Sequence, residues 1–403
     1  MQLEILLRDV DWVGIIACVN SFKIIEMVCL NHHILFLSSH LFTGRLALKL
    51  VENKLSLVLK SAVIATVYHL ILWTSDPLQS IIEAHEVGRK VGQQTGDFLC
   101  SSVNWHLSIM TSYVAGVSLG KVQTNFEDYI MTMLSRNGGI FVGGSILLFH
   151  QARILKDGLC ALDTKPSNNI PTEREAMQLF SNSLFLTNNK IHQLVRAFLF
   201  HRLDDLQSLD IVDISGDIER NKHQLYPLFL FGIFFEGLAS FLLARQTTRD
   251  SERSRWIEKG ENVLTKIIYW SEHSSWNWED KIVLLEAEKM YTMGNFDQAS
   301  LFYDRAIRLA HKHKFVHDEA IASELAGIFF CERGLDDMKA EALLLHSFQS
   351  YKTWGALAVA KRVETYIVWK YGAGCSSLDQ RIEILRGILV SNEDTKKRQE
   401  VGS

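Results

Sequence analysis

Two similar helical hairpins follow one another near the carboxyl end of the chain. From position 286, the sequence EAEKMYTMGNFDQASLFYDRAIRLAHKHKF has apolar residues at spacings of three and four on both sides of a turn at residues 293–295, which predicts two paired helices. A second copy begins at Ala320, and its turn glycine, Gly334, lies 40 residues after Gly294. Because one hairpin cannot bury its apolar face alone, repetition at this period predicts stacked helical hairpins.

Composition extends the helical prediction to the rest of the chain. Only four prolines occur among 403 residues, and proline is the residue that most strongly breaks helices. An apolar fraction of 47% with 22% charged residues is typical of an ordered chain. We therefore predict an all-α fold, an α-solenoid of stacked hairpins.

The pattern divides the chain into five parts. Residues 1–162 are predicted to form degenerate helical repeats, and residues 163–173, which include two prolines, a surface loop. Middle helical repeats follow at 174–279. The clearest repeats and their capping helices occupy 280–390, before a charged tail at 391–403.

Charge, cysteine pattern and hydropathy exclude several classes of function. The net charge of −4 offers no attraction to phosphate backbones, so no nucleic-acid partner is expected. Six cysteines without a CxxC pair, and a start without a basic signal region, favour a reducing, cytoplasmic location. The uncharged stretch from Ser61 to Ser75 is shorter than the roughly 20 residues of a spanning helix, so we predict a buried helix and no membrane span. Membrane association through residues 12–75 remains an alternative that cell fractionation would test.

The first hairpin resembles a tetratricopeptide repeat. Gly294, Phe296, Ala299, Tyr303 and Ala306 match that repeat's turn-glycine, aromatic, alanine, aromatic and alanine positions. The period of 40 is longer than the usual length of about 34, and the closing proline of the repeat is absent. The resemblance implies a tetratricopeptide-like α-solenoid.

A longer run is similar to a region of much larger proteins. The segment HKFVHDEAIASELAGIFFCERGLDDMKAEALLLHSFQSYKTWGALAVAKRVE includes the further signature residues Gly327, Gly334, Ala340, Trp354 and Gly355. It resembles the helical repeat region of sensor kinases that join a serine/threonine kinase domain and an ATPase module to a histidine kinase. Shorter similar stretches extend this resemblance over most of the chain. The resemblance implies a module of intracellular signalling.

The catalytic motifs of those kinases do not occur in the sequence. There is no GxGxxGxV loop, VAIK-like lysine, HRD or DFG run, and the nearest phosphate-loop string, from Gly116 to Val122, has one residue too few. The HxHxxxH string at His311, His313 and His317 is interpreted as the basic end of a helix rather than a metal site. We therefore predict a chain that is not an enzyme, with no catalytic residues, cofactor or metal.

The tetratricopeptide-like register predicts a concave face for a protein or peptide partner. The first helix of each hairpin would line this face. Its predicted partner-binding residues are Lys281, Leu284, Glu288, Tyr291, Glu324, Ile328 and Glu332. Tyr291 would anchor a ligand, and the three glutamates would favour a basic partner segment. The longer period leaves open the alternative that these residues pack on a neighbouring helix instead.

These features predict a non-catalytic protein-interaction module or regulatory scaffold. The alternative is a regulatory fragment of a larger ATPase or sensor kinase whose catalytic domains lie outside this chain.

Overall fold

The computed structural model describes residues 34–52, 57–136, 141–166, 168–208, 213–220, 226–271 and 274–372. About 85% of these residues are helical and none of them lies in a β-strand, so the all-α prediction is confirmed. Predictions for residues 1–33, for the helix at 378–389 and for the charged tail at 391–403 fall outside this part of the chain.

Seventeen α-helices make up the described structure. The first six are α1 (Ile34–Glu52), α2 (Leu57–Leu70), α3 (Leu78–Thr95), α4 (Phe98–Val114), α5 (Leu119–Ser135) and α6 (Val142–Asp157). Next come α7 (Glu173–Leu179), α8 (Ser183–Leu199), α9 (Leu203–Ser208), α10 (Ile214–Arg220) and α11 (Pro227–Gln246). The last six are α12 (Asp250–Ser271), α13 (Ser275–Thr292), α14 (Phe296–Lys312), α15 (Val316–Arg333), α16 (Asp337–Trp354) and α17 (Leu357–Tyr371). Short 3-10 helices, Leu72–Thr74 and Leu159–Leu162, follow α2 and α6.

Turn glycines end the first helix of each of the two clearest hairpins, and side-chain caps begin the second. Gly294 and Gly334 have φ angles of +82° and +60°, in the left-handed region that favours glycine. The side chain of Asn295 then caps α14, and that of Asp336 caps α16, each accepting from a backbone N–H three residues later. Both turns lie where the sequence predicts them.

The repeat-signature residues lie where paired helices meet or turn. Ala299, Tyr303, Ala306, Ala340 and Trp354 are fully buried, Phe296 is half-buried, and Gly355 ends α16 at a φ of +89°. Gly327 on α15 faces α16 so closely that a Cβ atom there would lie 2.7 Å from Cγ of Leu344. Small residues therefore set the distance between the paired helices.

The central helix is α11, which is buried on nearly all sides. By length and composition alone it could cross a membrane, but 94% of its apolar window is buried inside the protein. Glu236, in its middle, accepts hydrogen bonds from the backbone N–H and hydroxyl of Ser215, at 2.8 Å and 3.1 Å. Burial in the core therefore accounts for its apolar sequence.

The two halves of the chain share one hydrophobic core. Buried apolar residues form a continuous cluster between Ala65 and Ile367. The backbone N–H of Leu78 donates to Oδ1 of Asn277 at 3.1 Å, although 199 residues separate them. In an extended solenoid each repeat contacts only its neighbours. The first half of this chain instead packs against the hairpin helices α13 to α15 near the carboxyl end.

Candidate functional site

The first half of α13, a predicted inner helix, is covered by the chain itself. Lys281 and Leu284 on α13 are 0% and 1% exposed. One turn earlier, Trp278 contacts Trp73 from the first half, with 6.3 Å between the ring centroids. The prediction that a partner contacts Lys281 and Leu284 is therefore wrong, because this part of the face is interior.

Lys281 belongs to a buried ionic cluster that joins α13 to α15. Its Nζ lies 2.7 Å from Oδ2 of Asp318 and 3.4 Å from Oδ2 of Asp280, and it donates to the backbone oxygen of Asn277 at 3.0 Å. Burial raises the pKa of Asp280 to about 7. The negative charge of Asp318 also raises it, whereas the positive charge of Lys281 lowers it. We assign this cluster a structural role, since a partner has no access to it.

An open cleft of about 560 Å³ lies at the carboxyl ends of α11, α13 and α15. This volume is within the range of about 300–1,000 Å³ that is typical of ligand pockets. Four of the predicted residues, Glu288, Tyr291, Ile328 and Glu332, line it. The apolar part of its wall includes Phe198, Leu203, Leu242, Phe296 and Leu325.

Glu288 is neutralised within the wall of the cleft. It accepts from Nη2 of Arg245 on α11 at 2.6 Å and from the hydroxyl of Tyr303. Arg245 also donates to Oγ1 of Thr292 at 2.9 Å. Because its carboxylate is 1% exposed and already paired, Glu288 cannot attract a basic partner as predicted.

Tyr291 is the aromatic centre of the cleft. The guanidinium carbons of Arg245 and Arg333 lie 4.4 Å and 5.3 Å from its ring centroid, and its hydroxyl donates to Glu332. Burial and the adjacent Glu332 carboxylate raise the pKa of Tyr291 to about 12, so the hydroxyl stays protonated at neutral pH. Its ring also packs edge-on against Phe329, which holds it in place.

Glu324 lies in a smaller cavity of about 130 Å³, which shares His201, Ile328 and Glu332 with the main cleft. Its carboxylate lies 2.7 Å from Nη2 of Arg362 and 3.0 Å from Nε2 of His201. Although burial acts in the opposite direction, these two groups lower the pKa of Glu324 to about 2. Glu324 is therefore ionised but paired, like Glu288.

Sequence reasoning missed the arginines of this site. Arg245, Arg253 and Arg333 line the cleft, and Arg362 lines the smaller cavity. A signal was present, because the bonded pairs lie about one repeat apart. Glu288 follows Arg245 by 43 residues, and Arg362 follows Glu324 by 38.

Other candidate chemistry is not supported by the described geometry. Within the described ranges, no group of three His, Cys, Asp or Glu side chains is placed to hold a metal ion. His317 is buried in the core, whereas His311 is exposed beside Glu319. The string from Gly116 to Val122 crosses a turn and enters α5 at Leu119.

Comparison with known proteins gives no assignment. No protein-family model matches the sequence, and no curated protein matches it.

Proposed function

We propose that this chain is a non-catalytic protein-interaction module in intracellular, cytoplasmic signalling. Its last hairpins would act as a tetratricopeptide-like array, with α11, α13, α15 and α17 as inner helices. The cleft would bind a short segment of a partner protein. The observation that carries this proposal is the open, 560 Å³ cleft at the ends of three inner helices, where four of the predicted partner-binding residues meet.

The composition of the cleft favours a protein partner. Tyrosine, arginine and methionine are enriched at the centres of protein interfaces, and Tyr291, Arg333 and Met293 lie together in its wall. Further apolar surface lies in the nearby turn and at the start of α16, where Leu335 is 50% exposed and Met338 is 65% exposed. A partner segment bound in the cleft could cover part of this surface.

The alternative proposal is a regulatory part of a larger ATPase or sensor kinase. It is supported by the resemblance of the last hairpins to the repeat region of such kinases. Coding sequence next to that of Met1, read in frame, would carry kinase or ATPase motifs if this alternative is correct. Its absence would leave the interaction module as the better proposal.

Selection of a random peptide library on the immobilised chain tests the proposed function. Recovered peptides should bind the wild-type chain but bind an Ile328→Lys variant at least about tenfold more weakly, because the lysine places its stem and charge in the cleft. Leu301→Lys is the matched control, since Leu301 is 63% exposed on α14 and does not line the cleft. Circular dichroism and thermal unfolding should show that both variants fold. Failure to recover any peptide, or equal effects of the two substitutions, would reject the cleft as the binding site.

A further inference from the structure

Two arginines at the rim of the cleft have no acidic partner. Arg253 on α12 donates from Nη2 to the backbone oxygen of Thr292 at 2.7 Å. Arg333 lies 3.4 Å from the hydroxyl of Tyr291, and its guanidinium is 5.3 Å from the ring centroid of Phe296. Both arginines are exposed. Among the residues that the structure describes, no carboxylate oxygen lies within 4.0 Å of a guanidinium nitrogen of Arg253 or Arg333.

The remaining charges of the cleft are largely satisfied. Arg245 and Glu288 form a pair, and the carboxylate of Glu332 accepts from the hydroxyl of Tyr291. Three lining arginines (Arg245, Arg253 and Arg333) and two lining glutamates (Glu288 and Glu332) give a formal charge of +1, with His201 counted as neutral. The whole chain has a net charge of −4. The cleft is therefore a local positive site on an acidic protein.

The carboxyl end of α13, which lies in the cleft, offers no free backbone acceptor. The carbonyls of residues 289–291 accept from backbone N–H groups of the following turn at 2.9–3.1 Å. The next carbonyl, that of Thr292, accepts from Arg253. The negative end of a helix dipole arises mainly from unsatisfied carbonyls. Because these four carbonyls are satisfied, the carboxyl end of α13 adds little negative potential beside Arg253.

We propose that the partner segment in the cleft presents an acidic side chain to Arg253 and Arg333, next to an apolar side chain that packs on the cleft wall. The planar guanidinium presents several N–H donors in a fixed fork that matches the two oxygens of a carboxylate. Leu242 and Ile328 supply the apolar surface beside it. This inference rests on the proposed function of the cleft. It reverses the charge that the sequence predicted for the partner, because Glu288 and Glu324 are already paired.

Three matched peptides test the inference. Each is fluorescently labelled, blocked at both ends and about ten residues long, with the same Leu and Phe residues and with Glu, Gln or Lys at the same positions. Blocking removes the terminal carboxylate, so any preference comes from the side chains. Fluorescence polarisation should show the Glu peptide binding at least about tenfold more tightly than the other two, with an affinity that falls as salt is added.

Single substitutions locate the effect. Arg253→Gln and Arg333→Gln should each reduce the affinity for the Glu peptide several-fold and leave that for the Gln peptide nearly unchanged, because glutamine keeps a donor but loses the charge. Arg308→Gln is the matched control, since Arg308 is an exposed arginine on α14 that does not line the cleft. It should have no effect.

The outcomes separate this inference from the proposed function. If the Gln or Lys peptide binds as tightly as the Glu peptide and Ile328→Lys abolishes binding, the cleft binds peptides but the charge assignment is wrong. If the Glu peptide binds best but Arg253→Gln and Arg333→Gln reduce its affinity no more than Arg308→Gln does, the preference for an acidic peptide holds but its assignment to these two arginines is wrong. If none of the three binds the wild-type chain at about 1 mM, the inference fails, whereas the proposed function fails only if the library selection also recovers no peptide.

Discussion

Replacing Asp280 with asparagine should stabilise the protein at high pH relative to the wild type. Asp280 is 2% exposed and shares one ammonium group, that of Lys281, with a second buried carboxyl group, Asp318. Two carboxylates beside one cation leave an uncompensated buried charge, so one carboxyl group holds a proton more tightly than usual. Burial raises the pKa of Asp280 to about 7, whereas Asp318 has a lowered pKa because His317 and Lys281 overcome the opposite effect of its burial.

The sign and size of the effect follow from this shift. An unfolded aspartate titrates near pH 3.9, so between about pH 4 and about pH 7 the folded chain binds a proton that the unfolded chain has released. The stabilisation from this group is therefore present at low pH and is lost as the pH rises through about 7. At about 1.36 kcal/mol per unit, the wild type should lose roughly 2–3 kcal/mol from this group between about pH 5 and about pH 8. Asparagine cannot ionise, so the variant should not have this loss.

Urea unfolding monitored by circular dichroism measures the difference. The free energy of unfolding of Asp280→Asn minus that of the wild type should rise by about 2–3 kcal/mol from about pH 5 to about pH 8. His317, whose Nε2 lies 3.6 Å from Oδ1 of Asp318, is present in both proteins. Asp304→Asn is the control, because Asp304 pairs with Lys339 at a partly exposed site, and its difference should stay within about 0.5 kcal/mol. If the difference for Asp280→Asn is as independent of pH as that of the control, the raised pKa of Asp280 is refuted.

Two further perturbations test the packing of the core. Gly327→Ala should lower the free energy of unfolding by about 1–3 kcal/mol in urea titrations, because the new Cβ would lie 2.7 Å from Cγ of Leu344. An unchanged free energy of unfolding would show that α15 and α16 can move apart without cost. Lowering the pH from about 7 to about 5 should reduce the free energy of unfolding by several kcal/mol, since burial lowers the pKa of four histidines to about 3 or 4 in the folded chain while the unfolded chain protonates near pH 6.5. The four histidines are His85, His106, His192 and His317. Their combined loss of stability is larger than the gain that protonation of Asp280 gives over the same pH range. An unchanged urea midpoint would contradict this prediction.

Sequence periodicity predicted the hairpins because their determinants are local. Gly294 and Gly334 have the left-handed backbone that ends each first helix, and Ala299 and Tyr303 pack on the helix immediately before them. The fold-back of the first half has no such local determinant. It depends on contacts such as that of Asn277 with Leu78, across 199 residues, which a pattern of three and four residues does not encode.

The charged residues of the inner helices were harder to place. The tetratricopeptide-like register placed Lys281, Glu288 and Glu324 on the predicted partner face. Each is instead buried with an opposite charge from another helix. Residue type alone could not identify these partners. Glu332 is exposed in the wall of the cleft, and its contact with a partner stays a prediction.

The repeat period itself explains which charges of the cleft remain free. Side chains on α13 and α15 meet at an interval close to the 40-residue period, as in the bond from Tyr291 to Glu332, 41 residues apart. Glu288 and Glu324 are paired in the same way, with Arg245 43 residues earlier and Arg362 38 residues later. Arg253 lies on α12 and Arg333 at the carboxyl end of α15, and in the part of the chain that the structure describes neither arginine pairs with a carboxylate. The same register that neutralises Glu288 and Glu324 thus leaves two guanidinium groups at the rim, and a ligand that supplies the missing carboxylate would complete the pairing that the repeats begin.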